Sequence, residues 1–270
     1  IRKRGRRPEV PSVSESGTPN ALVLRLPWNA ERLLFVLFSI NLALLLIDLY
    51  LFQIEPSEER RWLFDMNLEA NVPTWFSATQ EFAVAVAAWV VVVHHQRVGN
   101  TFARWAWTGI AAFFLLIAID DASEMHERLA TLWSADVKAS DGTSVIKDAV
   151  QGFASYYWQL FFMPFFATAG ALMAWFLWRQ LGGLRGWLFY AGIAFYANAV
   201  LLDYFDPFTA IYDALAVSWG IPAGRLQHYF RDTEEFLEVF GTSCILVSFL
   251  QHYASLATCD EGGNFNPQVE

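Results

Sequence analysis

The chain has 270 residues, of which 55% are hydrophobic and 17% are charged, and its mean hydropathy is +0.31. Soluble domains carry about 25% charged residues, so this composition excludes an ordinary soluble domain and indicates an integral membrane protein. The net charge is −9, and no basic stripe is interleaved with aromatic residues, which argues against a nucleic-acid partner.

Long apolar runs predict an all-α integral membrane protein with a bundle of about six transmembrane helices. In chain order these helices cover residues 33–53, 74–95, 105–128, 157–178, 187–205 and 233–256. Each approaches the ~20 residues that a helix needs to cross ~30 Å of hydrocarbon. We expect one transmembrane domain at residues 31–257, with a basic cytoplasmic tail at residues 1–30 and a cytoplasmic tail at residues 258–270.

The basic residues predict the orientation of the bundle. Arg97 and Arg104 lie between the second and third helices, and Arg179 and Arg185 lie between the fourth and fifth. Loops rich in arginine and lysine stay in the cytoplasm, so both termini are expected there, in a bacterial inner (plasma) membrane. The three longer outer loops mix charges with aromatic residues at partly helical spacing, which predicts short amphipathic helices on the outer surface.

Acidic residues converge on the outer ends of the predicted helices. They are Asp48, Glu81, Asp120, Asp121, Glu124, Glu127, Asp203, Asp206, Glu234, Glu235 and Glu238. A carboxylate in hydrocarbon costs a few kcal/mol and needs a partner or a water-filled pocket. The cations expected at the same level are fewer: Arg128, Arg225, Arg231, His126 and His228. The remaining negative charge must be relieved by protonation, by water or by a bound cation.

Helical phase divides these acids into faces. At ~100° per residue, Asp120, Glu124 and Glu127 fall in one stripe about 60° wide on the third predicted helix. Glu234 and Glu238 form a similar stripe on the sixth, although glutamates in the first turn of a helix also have a purely structural use because they complement the helix dipole. Glu81 shares a face with small residues, which predicts that it points into the bundle.

These patterns predict a metal site in the outer half of the membrane. The predicted ligands are Glu81, Asp120, Glu124, His126, Glu127, Glu234 and Glu238. Carboxylates alone suit Ca²⁺, Mg²⁺ or Mn²⁺, and carboxylates with histidine suit Fe, Mn or Zn, so the identity stays open among Fe, Zn, Mn and Ca. Glu124-x-x-Glu127 and Glu235-x-x-Glu238 have the spacing of the Glu-x-x-His motif of four-helix di-iron proteins, but both have glutamate where that motif has histidine.

The segment "IDDASEMHERL", residues 119–129, resembles a motif of uncharacterised bacterial multipass membrane proteins that reads roughly Leu-Asp-Glu, a spacer and His-Glu. Asp120, Asp121, His126 and Glu127 match it, with Asp121 in place of glutamate. The segment "EEFLEVFG", residues 234–241, resembles a second pattern of the same proteins. No function is assigned to that group, so the resemblance implies only that the third and sixth helices act together.

Three functions are compatible with this pattern. The first is a metal-binding membrane protein, with a metalloenzyme acting on a lipid or small apolar substrate as its enzymatic form. The second is a proton- or cation-coupled transporter, since buried acids mark such pathways. The third is a non-catalytic subunit of a larger membrane complex, with other membrane subunits as partners besides the lipid bilayer. No GxSxG, Walker, GxGxxG or HExxH motif points to a particular reaction.

Overall fold

The computed structural model describes residues 29–55, 57–140 and 144–261, and within them the chain is helical, with no strand. The helices are α1 (Ala30–Ile54), α2 (Glu58–Arg61), α3 (Val72–Arg97), α4 (Thr101–Ser123), α5 (Met125–Ala139), α6 (Val145–Gly152), α7 (Tyr157–Phe161), α8 (Met163–Gln180), α9 (Gly183–Phe205), α10 (Thr209–Trp219) and α11 (Ala223–Glu261). The predicted tail at residues 1–30 lies almost wholly outside the described residues. The predicted tail at 258–270 begins inside α11, and residues 262–270 are not described.

Among the described residues, five helices are long and apolar enough to cross a membrane, namely α1, α3, α4, α9 and the segment Ala223–Thr258 of α11. This agrees with an all-α membrane protein, but it does not confirm the predicted count of six. The predicted helix at 157–178 is divided at Phe162 into α7 and α8. Pro164 lies in the first turn of α8, where the lack of a backbone N–H is tolerated. In the interior of a helix continuous from α7, proline would remove a backbone hydrogen bond and clash with the preceding turn.

The predicted helix at 105–128 is also divided. Helix α4 ends at Ser123, and Glu124 takes a left-handed conformation with φ of 52° before α5 begins at Met125. Asp120 holds this turn, because its Oδ1 accepts a hydrogen bond of 2.8 Å from the backbone N–H of His126. The predicted stripe of Asp120, Glu124 and Glu127 requires one continuous helix through these residues. The prediction of this stripe is therefore wrong.

Helix α11 begins ten residues earlier than the predicted start at 233 and runs through the centre of the bundle. It packs on α1, α3 and α9, and α3 packs in turn on α4. The interior between these helices is apolar, with Val84, Trp107, Phe114 and Phe249 fully buried. The early start of α11 adds a helical segment at one end of the bundle, and this segment carries His228 and Asp232.

Side-chain contacts bring the acid-bearing ends of the long helices together. Asp48 near the end of α1 faces His228 of α11, and Glu81 near the start of α3 faces Tyr196 of α9. We call this end of the molecule the carboxylate end. Helices α2, α5, α6 and α10 occupy the loops predicted to contain amphipathic helices, and their position on a membrane surface stays a prediction.

Candidate metal centre

Four acids at the carboxylate end lie close together around the buried Glu81, namely Glu81, Asp121, Glu235 and Glu238, which we call the central cluster. The side chains come from three helices, α3, α4 and α11. Glu81 lies close enough to Asp121 and Glu238 for their charges to interact, and Glu235 is likewise a neighbour of Glu238 and Asp121. Glu81 is only 4% exposed, so bulk solvent does not screen its charge.

The two oxygens of the Glu81 carboxylate differ in their hydrogen bonding. Tyr196 Oη donates a hydrogen bond of 3.2 Å to Glu81 Oε1, and the same hydroxyl contacts Thr242 of α11. Glu81 Oε2 and Asp121 Oδ2 are both buried, and neither has a hydrogen-bond partner in the described part of the chain. Buried polar atoms in native proteins almost always have a partner, so each of these two oxygens indicates a missing ligand or proton.

The nearby arginines are already engaged elsewhere. Arg61 pairs with Asp65 at 3.4 Å, Arg128 pairs with Glu124 at 3.2 Å, and Arg231 pairs with Asp206 at 2.7 Å; none of these acids belongs to the central cluster. Across the described ranges, no arginine or lysine forms an ion pair with any of the four central carboxylates. The four central carboxylates therefore account for part of the excess of acids over bases that the sequence predicts at this end.

A hydrogen-bonded pair, Asp120 and His126, lies beside the central cluster. His126 Nδ1 is 2.6 Å from Asp120 Oδ2, and the imidazole ring packs edge-on against Trp158 and Phe166. Burial by itself lowers the pKa of His126, but the hydrogen bond and the charge of Asp120 outweigh it, so the pKa lies above its ordinary value of 6.5. Glu238 is among the charges that act on His126, which links the pair to the cluster.

A second group of ligand-type side chains lies between α1 and α11. Asp48, His228 and Asp232, which we call the Asp/His/Asp group, each offer one ligand atom, and these atoms all lie within 4.8 Å of one another. His228 and Asp232 are one helical turn apart on α11, and Asp48 comes from α1. Asp48 and Asp232 are 0% and 1% exposed. The loop after α2 covers the group, because Met66 N–H donates to Asp48 Oδ2 at 3.0 Å.

Residues 33–252 match the model of a protein family described as a domain of unknown function, DUF8692. The chain belongs to this family. The match covers most of the chain and includes the central cluster, the Asp120–His126 pair and the Asp/His/Asp group, so all three lie within the family's domain. No curated protein matches the chain. No solved structure matches it either.

The ligands predicted from the sequence are distributed over several places in this domain. Glu81 and Glu238 lie in the central cluster, with Glu234 one turn before Glu238, and Asp120 and His126 form the adjacent pair. Glu124 is bound to Arg128, and Glu127 is exposed at the start of α5. The structure thus brings some of these residues together, and the metal-ligand set itself stays a prediction.

Sequence reasoning did not identify the Asp/His/Asp group. From the sequence, Asp48 counts among the outer acids and His228 among the nearby cations, whereas Asp232 is not singled out, because residues 223–232 are read there as a loop. The spacing of His228 and Asp232, four residues apart, is a ligand signal only on a helix. The contact with Asp48, 180 residues before His228, is set by tertiary packing alone.

We expect the Asp120–His126 pair to make stability depend on pH in metal-free protein. Because the folded pKa of His126 is raised, the stabilisation is fully present below the ordinary pKa of 6.5 and is lost as pH rises through the folded pKa. The difference in melting temperature between wild type and His126→Gln, measured in detergent with a chelator, should shrink as pH rises from about 6 to 9. A constant difference across that range would contradict this role of the pair.

Proposed function

We propose that this protein binds a divalent cation in the central cluster of its membrane-spanning bundle. The observation that supports this most directly is Glu81, a carboxylate that is buried beside Asp121 and Glu238 with its Oε2 unpartnered. Burying several carboxylates together costs several kcal/mol unless positive charge compensates them. A metal ion would compensate the charge and give both orphaned oxygens, Glu81 Oε2 and Asp121 Oδ2, a partner.

The donor set narrows the choice of cation. Glu81, Asp121 and Glu238 offer only oxygen, and oxygen ligands favour Ca²⁺ or Mn²⁺. Fe or Zn would be favoured if His126 also contributed a nitrogen. In that arrangement Asp120 orients the imidazole through Nδ1, as carboxylates commonly do for metal-bound histidines.

Metal binding to purified protein tests the proposal. Protein stripped with a chelator should bind Mn²⁺ or Ca²⁺ in equilibrium dialysis, and Glu81→Gln should weaken that binding by about 10- to 100-fold, because the change keeps the shape and removes the charge. Asp213→Asn is the matched control, since Asp213 is an exposed acid on α10. Equal affinities for the two variants, or no binding to wild type at millimolar metal, would contradict the proposal.

An enzymatic form of this function is a metalloenzyme acting on a lipid or small apolar substrate. An apolar groove between α4 and α8 supports it, with Phe113 and Phe165 in its lining. Phe113 contacts Phe166, which contacts the ring of His126, so the groove approaches the Asp120–His126 pair. Lipid extracts incubated with metal-loaded wild type should change in their mass spectra, and His126→Gln should abolish the change; unaltered spectra with wild type would argue against it.

Transport of protons or cations is the second candidate, favoured by a buried polar network that includes Gln80, the residue before Glu81 on α3. Asn41 Nδ2 donates to Ser243 Oγ at 3.0 Å, and Ser243 Oγ donates to Gln80 Oε1 at 2.6 Å. Fully buried Val84 and Val91 follow along α3, so a path across the whole bundle would require them to move. Dissipation of an imposed pH or cation gradient across the membrane of proteoliposomes that contain the protein would favour transport over a static site.

The proposal also covers the orientation of the protein in its membrane and its association with other membrane subunits. Arg97 and Arg104 flank the turn between α3 and α4, and Arg179 and Arg185 flank the turn between α8 and α9, at the end opposite the carboxylate end. By the positive-inside rule this supports a bacterial inner membrane with both termini in the cytoplasm. Native gel migration tests for other membrane subunits: a band at the mass of the chain alone would count against them.

A further inference from the structure

We infer that the Asp/His/Asp group is a separate site for a first-row divalent transition metal, held between α1 and α11. The inference stands independently of the central cluster, because the ligands are different residues. Asp48 comes from α1, and His228 and Asp232 come from the segment of α11 that precedes the central cluster.

The spacing of the three ligand atoms fits a small ion. His228 Nε2 is 3.4 Å from Asp232 Oδ2 and 3.8 Å from Asp48 Oδ1. Ligands at 2.0–2.2 Å from a tetrahedral metal are separated by about 3.3 to 3.6 Å, so the two measured distances differ from a tetrahedral edge by a few tenths of an ångström at most. Only small side-chain movements would be needed to close on a metal.

The atoms that face the centre of the group are also the ones without partners. Asp48 Oδ1, His228 Nε2 and Asp232 Oδ2 are buried and have no hydrogen-bond partner among the residues that the structure describes. Two of them belong to carboxylates that are at least 99% buried, which makes their lack of a partner costly. A bound cation would satisfy all three atoms at once.

The side of each aspartate that faces away from the centre of the group is held by the protein. Met66 N–H donates to Asp48 Oδ2, and the side-chain amide N–H of Asn67 donates to Asp232 Oδ1 at 2.5 Å. The same amide nitrogen lies 2.9 Å from His228 Nδ1 and can only donate, so a metal at Nε2 would require the imidazole proton to move to Nδ1 and the Asn67 amide to turn. Hydrogen bonds to the outer atoms of metal ligands fix their orientation and are typical of metal sites. Asn67 is therefore a positioning residue, and the loop after α2 supplies the support.

Within the described residues Arg61 forms no ion pair with Asp48 or Asp232, although its positive charge acts on Asp48. Arg61 pairs with Asp65 and lies over the ring of Phe52 at 4.8 Å, and Phe52 stacks on His228 with 3.6 Å between ring centroids. The aromatic ring thus separates the guanidinium from the imidazole and fixes the imidazole plane. The two carboxylates share no arginine or lysine within the part of the chain that the structure describes.

The chemistry of the donors selects the class of metal. One imidazole nitrogen and two carboxylate oxygens suit Zn²⁺, Mn²⁺, Fe²⁺ or Co²⁺, whereas Ca²⁺ takes 6–8 oxygen ligands. Three protein ligands also leave a fourth position for water or a substrate, which is the pattern of catalytic rather than structural zinc sites. A metal here would join α1 to α11 and raise the melting temperature on binding.

Co²⁺ is the probe for this site, because four-coordinate Co²⁺ absorbs visible light strongly and six-coordinate Co²⁺ does not. Full-length protein in detergent, stripped with a chelator, should bind one Co²⁺ with intense visible bands, and Zn²⁺ should displace it. His228→Gln and Asp232→Asn should each weaken binding by about 10- to 100-fold and remove the bands. Asp213→Asn should behave as wild type.

Each outcome decides between a metal site and a metal-free arrangement in which His228 bridges the two aspartates as a cation. Wild type without visible bands and without a rise in melting temperature on adding Zn²⁺ would overturn the inference, and this measurement needs no variant to fold. Bands that survive in both His228→Gln and Asp232→Asn would also overturn it. Bands lost in Glu81→Gln but kept in His228→Gln would show that Co²⁺ binds in the central cluster. That result would overturn this inference and leave the proposed function standing.

Discussion

Gly192→Ala is expected to lower the free energy of unfolding by about 2 kcal/mol or more, because helices α9 and α11 cross at this residue. A Cβ atom built on Gly192 would lie 2.7 Å from the carbonyl oxygen of Gly241 and 2.6 Å from Cγ1 of Ile245. The Ile245 side chain has some freedom to move, but the Gly241 backbone does not, so the helices must separate. Small residues permit such close approach of helices in membranes.

The loss would be measured as a shift in unfolding by sodium dodecyl sulfate in mixed micelles, followed by tryptophan fluorescence. Gly170→Ala on α8 is the matched control, since a Cβ there meets nothing within 4 Å and alanine is the better helix former. Separation of α9 from α11 should also move Tyr196 away from Glu81 and weaken cation binding. Wild-type stability in Gly192→Ala would show that the crossing is looser than described.

Arg231→Ala is expected to cost about 2 kcal/mol, which is less than the 3–5 kcal/mol of a fully buried pair because Arg231 is partly exposed to solvent. Asp206 is 3% exposed and accepts hydrogen bonds of 2.9 and 2.7 Å from this guanidinium. Tyr156 Oη and Gln227 Nε2 also donate hydrogen bonds to the Asp206 carboxylate. The pair therefore ties the segment before α7 and the start of α11 to the end of α9.

The pH dependence of this pair has a definite sign. Burial by itself raises the pKa of Asp206, but the hydrogen bonds from Arg231 and Tyr156 outweigh it and hold the pKa below its ordinary value of 3.8. The stabilisation is therefore complete above pH 3.8 and is lost as pH falls through the folded pKa. The stability difference between wild type and Arg231→Ala should be constant near neutral pH and shrink in acid.

Arg128→Ala is the control for the pair, since Arg128 forms the same kind of contact with Glu124 on the surface. Exposed pairs four residues apart on a helix contribute little, so its stability should not change measurably. Similar losses from Arg128→Ala and Arg231→Ala would show that burial of Asp206 does not determine the effect.

Hydrophobic run lengths determined the fold class and most helix positions, because crossing a bilayer requires long apolar segments whatever their neighbours. Divisions within a run were harder to predict. The left-handed turn at Glu124 depends on the hydrogen bonds that Asp120 makes to His126, six residues away. The interruption at Phe162 likewise divided one predicted span, since Pro164 starts a new helix instead of continuing the previous one.

The order of residues along the chain already predicts more acids at one end of the helices than the cations there can pair with. That follows from composition and from the cost of charge in hydrocarbon. Which acids meet depends on helix packing, which brings Asp48 to His228 and Asp232 and places Glu81 beside Asp121 and Glu238. Glu124 pairs with Arg128 instead. The reason is that periodicity fixes the face of one helix, whereas partners on other helices depend on how the helices pack.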